Sequence, residues 1–202
     1  EAAPDTPVTI KSRIGVDDQD PRAALFALVD ACAQAGCKTF VVHARKAWLG
    51  GLSPKENRDI PPLNYDRVYR LKKRYPEKFI GINGGIPSVE SGVVHLDYVD
   101  GVMLGRAAYH EPMQLLQADR LYFGDEAPAQ HVAAVIEAMA DYAARHIASG
   151  GRLSHVTRHM VGMFHGQPGA RRFRQILSTD ASKPGAGPEV LFRAFEALAV
   201  LE

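Results

Sequence analysis

Four short apolar runs, VTIKSRIG, KTFVVHA, KFIGING and GVMLGR, punctuate the first half of the chain. Each is compact and rich in apolar residues, and each gives way to Gly or a polar residue, which predicts buried strands. Helical patterns separate the first three. DPRAALFALVDACAQAG has Pro21 early, apolar positions at Leu25, Leu28, Val29 and Cys32, and Gly36 as a stop. NYDRVYRLKKRYPEKF sets Val68 and Leu71 on one face and Lys and Arg on the other, and IPSVESGVVHLDYV predicts a short helix before the fourth strand. Strand, helix, strand at this spacing means parallel βαβ units. After Arg106 no further strand is expected. Segments 112–123, 129–148, 152–164, 170–178 and 188–201 read as helices, divided by GDEAP, SGG, GQPG and KPGAGP. The expected organisation is an α/β part over residues 1–108 and an all-helical bundle over 109–202.

A four-stranded parallel sheet of buried-type strands needs cover on both faces and exposes two edges. The simplest remedy is that these βα units are the last four of a TIM (β/α)8 barrel, the C-terminal half, with the other half preceding residue 1. The opening EAAPDTPVTI has no initial methionine and reaches a strand within six residues, as an excised fragment would.

Composition narrows the class without deciding it. The 202 residues are 46% hydrophobic and 23% charged, ordinary for a globular chain. No apolar run approaches the roughly 18 residues of a membrane span, and the N-terminus lacks the pattern of a secretory signal. Cys32 and Cys37 form neither a disulfide framework nor a metal-ligand spacing, so a cytoplasmic location and no metal are expected. Net charge is +1, but its distribution is uneven. No acidic residue lies between Asp141 and Asp180, a stretch holding Arg145, Arg152, Arg158, Arg171, Arg172, Arg174, His146, His155, His159 and His165. That block is either a surface for a polyanion or a solvated face whose acidic partners come from elsewhere in the fold. In RLSHVTRHMVGMF, Leu153, Val156, Met160 and Met163 recur at helical spacing and are expected in the core, with Arg152, His155, Arg158 and His159 off that stripe.

In parallel α/β folds chemistry sits at the carboxyl ends of the strands. Those ends carry Lys11 and Arg13, then His43 and Arg45, then Asn83, Gly84 and Gly85, then Gly105 and Arg106. Any one could be a capping or turn residue; four together favour a site. Glycines admit an anion to the backbone, and Arg106 adds a charge suited to bidentate contact. Lys11, inside an apolar strand, needs an acceptor such as a cofactor atom, unless it points outward. Cys32, on the apolar side of its helix, and Cys37, ahead of the second strand and away from the proposed rim, are expected to be structural.

The runs PVTIKSRIGVDDQD, VVHARKAWLGGLSPKENRDIPPLNYDRVYRLK, INGGI and DGVMLGRAAY together resemble the tRNA-dihydrouridine synthases, and the HARKAWLGGLSPKENR loop resembles the A-type bacterial subfamily. LSHVTRHMVGMFHGQPGARRFRQIL resembles that subfamily's helical tRNA-binding domain. The resemblance spans essentially this whole chain and the later part of the family's chain. It implies an FMN-binding TIM barrel and helical bundle that reduce particular tRNA uridines to 5,6-dihydrouridine, with NADPH restoring the flavin. Residue by residue, Lys11, His43, Asn83, Gly84 and Gly85 match family FMN contacts, and Gly105 and Arg106 its phosphate-binding pair. The family's catalytic cysteine falls in the earlier barrel half, so no proton donor is assigned in this chain, and the fragment alone is expected to be inactive.

Within that implied function, Arg45, Lys46, Lys55 and Arg58 on the long loop, and Arg171, Arg172 and Arg174 after GQPGA, are the expected tRNA contacts. Trp48 is expected to brace the loop rather than stack on a base. No membrane association or protein partner is implied. Two other readings stay open: a different FMN barrel oxidoreductase acting on a small molecule, and a non-catalytic RNA-binding module.

Overall fold

The computed structural model describes residues 6–125 and 131–199. The chain divides into two compact units, Glu1–Gly105 and Arg106–Glu202, three residues ahead of the expected boundary at 108.

The first unit alternates strand and helix. Strands β1 (Thr9–Arg13), β2 (Thr39–His43), β3 (Phe79–Asn83) and β4 (Gly101–Met103) pair in parallel in the order β1-β2-β3-β4. Helix α1 (Pro21–Gln34) begins where the Asp20 carboxylate accepts from the amides of Arg22 and Ala23, at 2.8 and 2.7 Å, with Pro21 supplying a preset first turn. Asn64 caps α2 (Tyr65–Arg74) through the Arg67 amide, and three cations close its last turn, the favourable sign at a helix carboxyl end. A reciprocal Ser88–Ser91 capping box starts α3 (Val89–Val93). That helix is one turn, shorter than the pattern over 86–99 suggests, because the chain passes into successive turns from Val94 to the strand.

Alternate strand residues face the helices. Phe40, Val42, Ala44, Ile80 and Ile82 are buried there with Leu25 and Val29 of α1 and Val68 and Leu71 of α2. Each such large side chain stabilises the unit by about 1.5–3 kcal/mol. Asp100 accepts from the Ile80 amide at 2.8 Å and pairs with Lys72 at 2.8 Å, tying α2 to the strands.

The second unit is helical in its described residues. It contains α4 (Arg106–His110), a 3-10 segment at Pro112–Gln117, α5 (Ala118–Phe123), α6 (Val132–Ala148), α7 (Leu153–Thr157), α8 (Ala170–Thr179) and α9 (Glu189–Ala199). Two expected segments are corrected and a third is described in part. The 112–123 segment is a 3-10 stretch running into α5, which ends at left-handed Gly124. The 129–148 helix is described from Val132, its first residues lying outside the described set. The expected helix 152–164 stops at Thr157. Beyond it, turns in which His159, Met160 and Met163 donate three residues back continue the path. Those turns keep near-helical spacing, so Leu153, Val156, Met160 and Met163 are all buried as the stripe requires. Around them close Ile136, Ala140, Phe164, Phe173, Leu177, Leu191 and Ala194.

Candidate functional site

The strand face away from the helices carries the other residue parity. Register sets Lys11, Val41, Gly81 and Gly101 in one row across the sheet. Arg13, His43, Asn83 and Met103 form the next row, toward the carboxyl ends. The row of glycines has a reason. A Cβ on Gly101 would stand 2.8 Å from Phe79 Cζ, and one on Gly81 3.6 Å from Phe79 Cε1, so the Phe79 ring lies along the backbone of both. Lys11 is exposed on this open face, not buried among apolar neighbours. Asn83 donates its amide to the Met103 carbonyl at 2.7 Å, joining the ends of β3 and β4 and leaving Oδ1 as its acceptor.

Beyond β3 the Asn83–Gly84–Gly85 turn needs its glycines. Gly84 has φ +110°, and a Cβ there would meet the His43 ring at 3.0–3.2 Å. Gly85 has φ +67°, and its Cβ would stand 2.5 Å from Leu63 Cδ1. The turn is held from below: the Tyr65 hydroxyl donates to the Gly84 carbonyl at 2.7 Å, and the Ala44 amide donates to the Asn83 carbonyl at 2.8 Å. Tyr65 packs edge-on against His95, whose Nδ1 lies 2.6 Å from the Tyr69 hydroxyl. Burial raises both tyrosines and pushes His95 below the ordinary imidazole range.

The loop after β2 is fastened by residues that the sequence pattern did not single out for this role. Arg13 donates to the carbonyls of Lys46 and Asn57 at 2.8 and 2.9 Å. Asn57 grips Trp48 from both sides, accepting from its amide and donating to its carbonyl, each at 2.7 Å. Arg45 donates to the carbonyls of Asp59 and Pro61, and Lys46 to that of Gln19 at 2.8 Å. Two expected substrate contacts, Arg45 and Lys46, thus hold the protein's own backbone. Lys55 and Arg58 are exposed. Trp48 does not anchor the loop by burial: its ring is 41% exposed, with the Lys46 ammonium 5.8 Å from its centroid. The brace is Asn57 with Arg13. Burial, then the charges of Arg45 and Arg58, lowers the Arg13 pKa, so three guanidiniums share this rim. The signal for Arg13 was present, since it shares the parity of Lys11; nothing in the sequence marks Asn57 as a clamp.

Both cysteines stand in structural surroundings. Cys37 is buried with Sγ 3.4 Å from the Thr39 carbonyl, and Cys32 packs against the same core.

Gly105 is exposed at the end of the first unit, and Arg106 opens α4 at the start of the second. Within the helical unit, α8 buries Phe173, Ile176 and Leu177 and exposes Arg171, Arg172 and Arg174. Its entry needs Gly169, at φ +77°, because a Cβ there would lie 2.9 Å from Leu198 Cα of α9. In the acid-free block, Arg152 donates to the Ser182 carbonyl and Arg158 to His159 Nε2, each at 3.1 Å, and neither they nor Arg171 and Arg174 have an acidic partner among the described residues. No group of His, Cys, Asp and Glu that could hold a metal ion occurs among the described residues, and no described helix is long and apolar enough to cross a membrane.

The dihydrouridine synthase family model matches residues 1–198. The chain is 53% identical over 194 residues to the tRNA-dihydrouridine(20/20a) synthase of Shewanella oneidensis, covering 96% of this chain and 58% of that protein. It is 48% identical over 194 residues to the protein of the same name from Vibrio cholerae, covering 96% and 59% respectively. Against that of Escherichia coli K12 it is 49% identical over 194 residues, covering 96% and 56%. The chain therefore spans somewhat under three fifths of the length of these curated relatives. A match over nearly its whole length, together with about half-identical relatives of that family, makes this chain a member of the dihydrouridine synthase family.

Proposed function

We propose that the α/β unit is part of a flavin-binding TIM barrel, and that the chain serves the reduction of tRNA uridines to 5,6-dihydrouridine. One observation carries the reading: Lys11, His43 and Asn83 share one sheet face beside the Gly84–Gly85 turn, His43 and Asn83 at the carboxyl ends of consecutive parallel strands and Lys11 one row earlier. Parallel strands that neighbour one another in chain order have the arrangement of successive barrel strands.

The residues fit FMN. A pair of positive-φ glycines opens the backbone to a phosphate. Lys11 offers a positive charge on the open face, where it stabilises negative charge on a reduced ring. The Asn83 acceptor and the His43 imidazole stand one row further along. Gly105 and Arg106 are the proposed phosphate-holding pair. The bound flavin, replenished by NADPH, supplies the hydride chemistry. Cys32 and Cys37 take no part in proton delivery, because both stand in the helix-side core.

tRNA is the proposed substrate. A uridine must be extruded from folded RNA to reach a barrel rim, at a cost of a few kcal/mol of unstacking. Lys55 and Arg58, exposed on a loop pinned by Arg13 and Asn57, contact the RNA there, and Arg45 and Lys46 shape the loop. Arg171, Arg172 and Arg174 add phosphate contacts from the helical unit.

Two measurements on the purified chain test this: flavin absorbance, and retardation of a tRNA transcript. A yellow protein that retards tRNA is expected. A yellow protein without RNA affinity points instead to small-molecule reduction, and a colourless protein that retards tRNA to an RNA-binding module.

A further inference from the structure

A groove of about 600 Å³ runs between α1 and α2, lined by Asp20, Arg22, Phe26, Arg67, Arg70 and Lys73 among others. It lies on the helical side of the first unit, opposite the sheet face of the proposed flavin site. We infer that this groove binds the phosphate backbone of an RNA strand, as a docking surface separate from the loop and from the helical unit. The inference rests on the reading of tRNA as substrate.

Four features carry it. The first is excess positive charge: Asp20 faces Arg22 and Arg67, but it is the one carboxylate in a lining that holds five cations. Arg22, Arg70 and Lys73 are exposed and take part in no ion pair or side-chain hydrogen bond among the described residues. The acidic groups at the groove are engaged. Asp20 accepts from the first amides of α1, and Asp30 pairs with Arg74 at 3.5 Å. The second is Arg67, whose Nε is shielded from solvent and has no hydrogen-bond partner. The Arg67 side chain is half-buried in the groove lining, where a charge-assisted hydrogen bond from its outer N–H groups to an anionic oxygen is strong.

The third feature is extent. Arg67, Arg70 and Arg74 follow one face of α2, and seven residues of helix cover about 10 Å. One inorganic anion would engage one or two of these groups, whereas a nucleic-acid strand presents charges repeatedly along its length. A groove volume in the range of about 300–1,000 Å³ suits an organic ligand rather than a bare ion. The fourth is the floor. Phe26 lies beneath the Arg74 guanidinium, 5.4 Å from it, so the groove joins an aromatic surface to its cations as nucleic-acid grooves do.

Equilibrium binding of tRNA to the 202-residue chain across salt concentrations tests the inference. The triple variant Arg22→Gln, Arg70→Gln, Lys73→Gln should bind at least tenfold more weakly at low salt. Its plot of log Kobs against log salt should be shallower by about one for each cation that meets a phosphate. An unchanged melting temperature is expected, since none of the three side chains holds the fold. A second readout needs no variant: tRNA should protect Lys73 of the wild-type chain from acetylation. A wild-type chain that binds tRNA, with an unaltered salt slope in the triple variant and Lys73 still reactive, overturns this inference alone. A wild-type chain without affinity for tRNA overturns it together with the proposed function. Equal protection of Lys73 by polyglutamate would give the groove to an acidic protein and also overturn it.

Discussion

At the scale of single residues, the site is governed by where a side chain cannot be. Gly84 combines a left-handed φ with the His43 ring pressed against its α-carbon. Gly84→Ala adds both strain and a collision, and should cost about 1–3 kcal/mol, measured by urea denaturation. Tyr65→Phe removes only the hydroxyl that holds the Gly84 carbonyl. It should cost about 1 kcal/mol, the net worth of one hydrogen bond. A Tyr65→Phe chain as stable as the wild type would show that the turn does not depend on that bond. The glycines were legible in the sequence as a turn after the third strand. Their reason was not, because the His43 ring and the Leu63 side chain reach them from other segments. Lys11 was read as a strand-end cation that needs an acceptor unless it points outward, yet it stands in the middle of β1 rather than at its end. Alternation places it on the open face, where its charge costs little to keep.

At the scale of elements, the loop after β2 shows how far a pattern can mislead about roles. Its cations looked alike, yet Arg45 and Lys46 bind carbonyls of the chain itself while Lys55 and Arg58 face outward. Arg13→Met should loosen the loop without emptying the core, since two loop carbonyls lose their donor. Limited trypsin digestion should then cut at Lys55 or Arg58 faster than in the wild type, and an equal rate would remove Arg13 from its bracing role. The contact between α2 and the turns after α3 carries a pH signature. Burial holds His95 below its ordinary value of 6.5, so the folded ring takes up its proton at lower pH than the unfolded one. Stability from this site is complete above pH 6.5 and is lost as the pH falls through the folded value. Melting temperature should therefore drop between about pH 7 and about pH 5, and His95→Gln should flatten the part due to this ring. Strands, α1 and α2 were legible because two-residue and 3.6-residue periods and caps agreed. The segment after Thr157 was not, because successive three-residue turns preserve helical spacing while abandoning the α-helix.

At the scale of the whole molecule, two hydrophobic cores serve two kinds of surface. The α/β core supports an open sheet face and a cationic outer groove, and the helical core supports the arginines of α8. Leu191 is fully buried in the helical core. Leu191→Ala should destabilise that unit by about 2–5 kcal/mol, read by calorimetry, while flavin affinity measured well below the transition is unchanged. The two-part organisation was legible from the disappearance of strand patterns after Arg106. The groove between α1 and α2 was not, because its cations come from two helices and reveal nothing together until the helices are packed.

A fluorescence titration of FMN with the wild-type chain and with Gly84→Ala, at a temperature where both are folded, probes the proposed flavin site directly. Saturable quenching by the wild type is expected, with at least tenfold weaker binding once a methyl group occupies the cradle against His43. Identical titrations for the two proteins, or no quenching by the wild type, would contradict a flavin site at the carboxyl ends of these strands.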